Sequence, residues 1–300
     1  MPLAAFPKCF LKALCIDRTM TPEAWIDLAA AHLEIDGLEL YWRFLPHDSP
    51  RHLEALRRQA ERHGLRIAML CYSPDFTQPE REAWRAEIER ARWAVEVAAI
   101  LGAETCRVLS GQARPDLDVP MGLRLAAQAI EELFPTAERF QVKLALENHY
   151  KDGFWQYPEL AWQQERFLEL LSLIPSSPWF GVNYDPSNAL LAGDDPIALL
   201  EQVKHRVISM HASDRYLEGG SLTELRRLAY SPQQGYAPFL RHGVIGQGMN
   251  DYDKIFALLA SVGFQGWVSI EDGEDAEQGM AHLKQSAQFL REKMAKYHLP

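Results

Sequence analysis

Cysteine is scarce in this chain. The four present, Cys9, Cys15, Cys71 and Cys106, form no CxxC pair and fall mostly in apolar runs. Neither a disulfide framework nor a thiolate-type metal site is expected, and buried thiols in a reducing compartment fit the pattern. Long hydrophobic runs are missing too: no segment approaches the roughly 20 apolar residues of a membrane span. The apolar part of MPLAAFPKCFLKALCIDRT is too short and too interrupted for a signal peptide. A soluble, cytoplasmic protein with no membrane partner is therefore expected. Positive charge is in deficit, with 31 Lys+Arg against 41 Asp+Glu and a formal net charge of -10. Such a surface repels polyphosphate backbones and argues against a nucleic-acid partner. No glycine-rich phosphate turn follows an early apolar run, which weakens the case for a doubly wound dinucleotide-binding sheet. Nor does a stretch of linker composition divide the chain.

What the sequence has is alternation. Eight segments have the length and residue types of strands: Cys9 to Cys15, Gly37 to Tyr41, Arg66 to Cys71, Thr105 to Leu109, Lys143 to Glu147, Phe180 to Asp185, Val207 to His211 and Trp267 to Glu271. Amphipathic stretches lie between them. Trp84, Ile88, Ala91, Val95 and Ala98 share one helical face, as do Met280, Leu283, Ala287, Leu290 and Met294. Thr21 before Pro22 and Asp195 before Pro196 read as helix N-caps with proline in the first turn. Eight β/α units over 300 residues predict a single-domain (β/α)8 TIM barrel, a fold that typically needs about 250 residues.

Four of the apolar runs end on residues able to hold one divalent cation: Glu147 in LALENH, Asp185 in FGVNYDPSN, His211 in VISMHASD and Glu271 in WVSIEDG. Taken singly, each has an ordinary explanation. A terminal carboxylate caps helices, Asp-Pro opens turns, and a core histidine is commonly just hydrogen-bonded. Taken together, three carboxylates and one imidazole from the fifth to eighth strands would repel one another without a cation. This oxygen-rich set suits Mn²⁺ best, with Mg²⁺, Co²⁺ and Zn²⁺ as alternatives. Two longer connections also stand out. HYKDGFWQYP after Glu147 offers His149, Lys151, Trp155 and Tyr157. The stretch from Ala212 to Asn250 holds Glu218-Gly219-Gly220, a helical segment around Thr223 to Leu228, Tyr236, Gly246 and Gly248. Connections of that length carry function more often than the usual short βα loops.

In their order along the chain, LALENH, GVNYDPSN, HASD and SIEDG resemble the xylose-isomerase-like TIM-barrel superfamily of sugar isomerases and epimerases, which also contains apurinic endonucleases. The resemblance runs from a first strand at FLKALCI, through GLEL and CRVLSG, to SIEDG. It implies that Glu147, Asp185, His211 and Glu271 are the metal ligands, with Glu147 and Glu271 doubling as an acid/base pair. It also implies that Asp214 orients or supplements the site and that Arg215 contacts a substrate oxygen. Many relatives carry histidine three residues after the strand-six aspartate, where this chain has Asn188. An amide binds a hydroxyl or carbonyl but is a poor ligand for a further metal, so a multinuclear nuclease centre looks incomplete. His149, Asn188, Asp214, Arg215 and Trp155 are the expected substrate contacts.

The expected activity is that of a metal-dependent isomerase or epimerase. It would remove a proton beside the carbonyl of a keto-sugar through a metal-stabilised enediolate, with Glu147 and Glu271 as the catalytic bases. A dehydratase or keto-glycoside lyase on the same scaffold is the alternative, and a noncatalytic carbohydrate-binding barrel is the competing class. The expected partner is a small carbohydrate; the sequence also allows a homo-oligomer.

Overall fold

The computed structural model describes residues 1–45, 49–229, 238–271, 273 and 276–297. Among the described residues there are ten strands: β1 (Leu3–Ala5), β2 (Gly37–Tyr41), β3 (Arg66–Cys71), β4 (Thr105–Val108), β5 (Lys143–Glu147), β6 (Phe180–Tyr184), β7 (Val207–Ala212), β8 (Arg215–Leu217), β9 (Leu240–His242) and β10 (Trp267–Ile270). Eight of them close a parallel barrel in the order β1-β2-β3-β4-β5-β6-β7-β10, and β10 pairs back onto β1. Along its wall Glu147 stands opposite Asn183 and His211 opposite Ser269. The remaining two strands, β8 and β9, pair antiparallel as a small ribbon in the connection after β7.

Helices cover the barrel because their apolar faces have nowhere else to go. In α1 (Pro22–His32), Thr21 accepts the Ala24 N–H at 3.2 Å, and Trp25, Ile26 and Ala29 are buried. After α2 (Pro50–Arg62), α3 (Arg81–Leu101) buries Trp84, Ile88, Ala91, Val95 and Ala98, the predicted face. The wall continues with α4 (Val119–Glu132), α5 (Phe134–Phe140), α6 (Gln164–Leu173), α7 (Pro186–Ala192) and α8 (Pro196–Val203), the last capped by Asp195 through the Ile197 and Ala198 N–H groups. Next come α9 (Leu222–Ala229), on the predicted helical segment, and α10 (Tyr252–Ser261); α11 (Gly279–Lys296) closes the wall with Leu283, Ala287, Leu290 and Met294 buried and Met280 packed against the core. No helix among the described residues is long and apolar enough to cross a membrane.

The first strand is a correction. Cys9 to Cys15 is not a strand: Lys8–Phe10 is a 3-10 turn and Lys12–Ile16 a π-helical turn. Their burial explains why, since Phe10 and Leu14 go inward at a helical spacing of four while Ile16 is 64% exposed. The true first strand is the three-residue LAA of Leu3–Ala5, fully buried and paired with both β10 and β2. FLKALCI, placed there by the resemblance, lies just after it. Tyr236 falls outside the described residues.

Candidate metal centre

Glu147 is the last residue of β5, His211 the penultimate residue of β7, and Asp185 and Glu271 directly follow β6 and β10. Parallel barrel strands end on a common rim, so residues far apart in sequence meet there. One ligand atom from each of the four lies within 4.8 Å of the others, and all four side chains are buried.

Each side chain is held by specific partners. Asp185 caps α7, and its Oδ1 accepts from Ser187 N at 2.7 Å, Asn188 N at 3.1 Å and Ser213 Oγ at 2.6 Å. Those three bonds leave Oδ2 for the centre. The Asn148 amide grips the Asp185 backbone, donating to its carbonyl at 2.7 Å and accepting from its N–H at 2.8 Å. Glu147 Oε2 takes the Arg107 guanidinium at 3.0 Å, and Oε1 accepts from Asn188 Nδ2 at 3.1 Å. Glu271 has Lys8 Nζ 3.6 Å from Oε1. His211 joins these parts: Nδ1 lies 3.2 Å from Glu147 Oε1 and 3.0 Å from Glu271 Oε2, while Nε2 lies 2.9 Å from Glu39 Oε2. A bound ion would displace the Nδ1 proton; the Nε2 proton, donated to Glu39, would stay and leave the Nδ1 lone pair facing the centre, as a metal-ligating imidazole must.

Electrostatics bears out the strain of packing these groups together. Burial works to raise the Glu147 carboxyl, but His211, Arg107 and His149 outweigh it and hold it at about 2. Burial also opposes the ionised form of Glu271, and there Lys8 and His211 win, holding it well below the usual carboxylate range. Asp185 goes the other way: burial, then the charges of Glu271 and Glu147, push it up. For His211, burial is overcome by Glu39, Glu147 and Glu271, which raise it well above its ordinary value.

The donor set fits a divalent ion. Four carboxylates meet here, from Glu39, Glu147, Asp185 and Glu271, against two permanent cations, Arg107 and Lys8. With His211 neutral, two negative charges are left over, which one M²⁺ would cancel. Three carboxylate oxygens and one imidazole nitrogen are ordinary ligands for Mn²⁺, Mg²⁺, Co²⁺ or Zn²⁺.

The expected substrate contacts have distinct surroundings. Asn188 is buried, and its amide is already bonded to Glu147. His149 Nδ1 lies 3.4 Å from the buried Glu159. Burial pulls its imidazole down, and Glu147 and Glu159 pull it up further. Asp214 anchors the long connection: its Oδ2 accepts from Gly246 N and Gly248 N, both at 2.9 Å, and its Oδ1 from Asn250 N at 3.1 Å and Arg215 N at 3.0 Å. A Cβ on Gly248 would stand 2.2 Å from Asp214 Oδ1, so only glycine lets the backbone come this close. Arg215 is buried, with Nη1 on the Asp214 carbonyl at 3.1 Å. Trp155 is partly buried on the insertion after β5, its N–H donating to Asp152 O at 3.0 Å.

Three residues with evident roles were not picked out in the sequence. Glu39 and Arg107 sit inside strand segments, and a charge inside an otherwise apolar strand was the available signal. Lys8 gave none, since it precedes a stretch that reads as the wrong element.

The fold and its rim cluster define a (β/α)8 barrel with a candidate divalent-metal centre. More particularly, residues 27–293 match the model of the xylose isomerase-like TIM barrel family, and the chain belongs to that family. It is similar to the inosose dehydratase of Bacillus thuringiensis (strain Al Hakam), at 23% identity over 251 residues that cover 81% of this chain and 82% of that protein. Among solved structures, a D-tagatose 3-epimerase-like protein matches with a TM-score of 0.75 at 19% identity, covering 99% of this chain and 98% of its own. The IolI protein with a bound zinc atom matches with a TM-score of 0.74 at 17% identity, covering 99% of each chain. At these identities the structural likeness carries the fold.

Proposed function

We propose that this chain is a divalent-metal-dependent enzyme that moves a proton at the carbon beside the carbonyl of a keto-sugar or related polyol, and that isomerisation or epimerisation is the outcome. The observation that carries the reading is the pair Glu147 and Glu271. Both carboxylates touch the same nitrogen of His211, at 3.2 and 3.0 Å, yet they come from β5 and the end of β10, with two strands between them around the barrel. They therefore reach one small volume from different sides.

A divalent ion held by Glu147, Asp185, His211 and Glu271 would supply electrostatic stabilisation for the charge that builds on the carbonyl oxygen as the neighbouring C–H breaks. The chain's residues do the rest. One glutamate takes the proton from its face of the substrate and the other returns one from the opposite side, which inverts the carbon; return to the adjacent carbon exchanges aldose and ketose. Arg107 and Asn188 fix the Glu147 carboxylate, and Lys8 steadies that of Glu271. His149, Asn188, Asp214, Arg215 and Trp155 form or support the walls against which the hydroxyls lie.

Dehydration is the second reading, favoured by the similarity to inosose dehydratases over 81% of the chain. The two glutamates are also unequal. Glu147 has both oxygens engaged by Arg107 and Asn188, while Glu271 has a single lysine at 3.6 Å besides His211. With one effective base, the proton it removes passes to the departing β-hydroxyl, which leaves as water while the C–H electron pair forms the new C=C bond.

The test is solvent exchange. Metal-loaded protein incubated in D₂O with D-tagatose, D-fructose or an inosose should place deuterium beside the carbonyl of the substrate it accepts. Glu271→Gln should slow this by about 10²–10⁴-fold. If Glu147→Gln slows it equally, the two-base reading stands; continued exchange with water loss selects dehydration. Turnover without exchange, or near-normal turnover in both variants with metal bound, rejects proton abstraction by these residues.

A further inference from the structure

Directly after β2, on the same rim, the 3-10 turn Trp42–Phe44 carries an arginine that the metal centre does not use. The Arg43 guanidinium carbon lies 4.4 Å from the ring centroid of Trp42 and 4.1 Å from that of Phe154 on the insertion after β5. Among the described residues it makes no ion pair. Its Nε is buried without a hydrogen-bond partner, and so is Nε1 of the adjacent Trp42. Arg43 as a whole is partly exposed. The backbone carbonyl of Arg43 accepts from Arg18 Nη1 at 2.9 Å.

This rim segment is tied to the reacting centre. Phe154 stacks on Tyr41, with ring centroids 6.4 Å apart. From Tyr41 a chain of hydrogen bonds runs inward: its hydroxyl donates to Asp152 Oδ2 at 2.9 Å, Ser73 donates to the same oxygen at 2.6 Å, Arg107 donates to Ser73 Oγ at 2.8 Å, and Arg107 also holds Glu147 at 3.0 Å. Asp152, on the insertion after β5, is already engaged by Tyr41, Ser73 and the Phe154 N–H.

A guanidinium lying against aromatic rings keeps its N–H groups free at the edge, the geometry that takes a carboxylate or phosphate by two parallel bonds. We propose that Arg43, backed by Trp42 and Phe154, is the anion-recognition residue of an outer subsite, so that the substrate is an otherwise hydroxylated molecule carrying an oxyanion. The proposal rests on the reading of this rim as an active site. It also accounts for a cation at the rim with no ion pair among the described residues, in a protein whose net charge is -10: local positive charge is what lets an acidic ligand approach against the overall field.

Calorimetric titration of Mn²⁺-loaded protein with D-glucose, D-gluconate and D-glucose 6-phosphate tests it. At least one acidic probe should bind about tenfold or more tightly than glucose, with the advantage falling as salt rises; which one identifies the group as carboxylate or phosphate. Arg43→Gln should remove the advantage with melting temperature unchanged, and Arg43→Lys should keep part of it. Phe154→Ala, at a side chain 45% exposed, leaves the core intact and should weaken the preference. Equal affinity for all three probes, no binding of either acidic probe, or a preference that survives Arg43→Gln overturns the proposal. Failure here and failure of the proposed function are separable. Deuterium exchange lost in Glu271→Gln alongside a preference indifferent to Arg43 sinks only the subsite, whereas Arg43-dependent binding without exchange on any keto-sugar sinks only the chemistry.

Discussion

Glu39 should set how tightly the candidate centre holds a divalent ion, although it is not one of the four proposed ligands. Its Oε2 lies 2.9 Å from His211 Nε2, both side chains are about 1% exposed, and the Cys71 thiol donates to the same oxygen at 3.4 Å. Deleting the carboxylate in Glu39→Ala leaves the Nε2 proton buried without an acceptor and frees the ring to turn. Losing a buried partner of this kind costs about 1–3 kcal/mol. Loss of the group that orients a ligating histidine typically weakens metal binding by about 10–100-fold, or about 1.4–2.7 kcal/mol, which is the same range. Glu39→Gln keeps a carbonyl oxygen that accepts the same bond, so its loss should lie at or below the bottom of that range.

The assay is competition for Mn²⁺ against a fluorescent chelator, repeated with Co²⁺, whose visible absorption reports ligand geometry. Glu39→Ala also removes a negative charge from the interior, which lowers a desolvation cost. The metal-free variant should melt lower by part of the ~1–3 kcal/mol of the lost bond, the rest offset by that relief, while its metal-induced shift shrinks. Affinity within about threefold of wild type, with an unchanged Co²⁺ spectrum, would refute the assignment of Glu39 as the residue that orients His211.

Two further outcomes concern the loops that frame the rim. Burial works to raise the Asp75 carboxyl, but hydrogen bonds from Arg114, Gln112 N and Thr77 hold it below its ordinary 3.8. Its stabilisation is thus full above that value and lost as pH falls through the lower folded value, so urea midpoints of wild type should fall toward those of Asp75→Asn below about pH 4; parallel profiles would exclude the effect. Asp214→Ala strips the acceptor from four backbone N–H groups, those of Arg215, Gly246, Gly248 and Asn250. It should cost about 3–5 kcal/mol in urea unfolding, and a loss under about 1 kcal/mol would mean the connection holds itself.

Strands that are buried on both faces announced themselves by composition, and Gly37–Tyr41, Arg66–Cys71 and Lys143–Glu147 were read to the residue. The first strand was not, because three residues cannot display a period and the following Phe10 and Leu14 supply apolar content on a helical spacing. The clustering of Glu147, Asp185, His211 and Glu271 was legible because barrel topology forces strand ends together, so position along the chain stands in for position in space. Glu39 and Arg107 lacked that shortcut. Glu39 meets His211 across 172 residues, and Arg107 meets Glu147 through the wall between β4 and β5. Asp214 showed the reverse: an acidic residue in HASD suggested a role at the ion, whereas its oxygens collect backbone N–H groups whose convergence depends on the turn at Gly246 and Gly248, not on any motif.

The two glutamates carry the remaining distinction. Arg107 is fixed in turn by Ser73 at 2.8 Å and the Tyr72 carbonyl at 3.3 Å, so Glu147 is bound to a rigid partner. Lys8 belongs to the short turn that replaces the expected first strand, and at 3.6 Å it is a looser, point-charge partner for Glu271. A guanidinium locked in place by its other two hydrogen bonds lowers the basicity of its carboxylate more durably than a flexible ammonium that can swing aside when substrate arrives. Under the proposed reaction, the asymmetry makes Glu271 the residue better placed to take the proton and Glu147 the residue better placed to hold geometry. Whether Glu147 also completes a proton transfer separates epimerisation from loss of water, and that difference lies in the partners of two carboxylates, not in the fold they share.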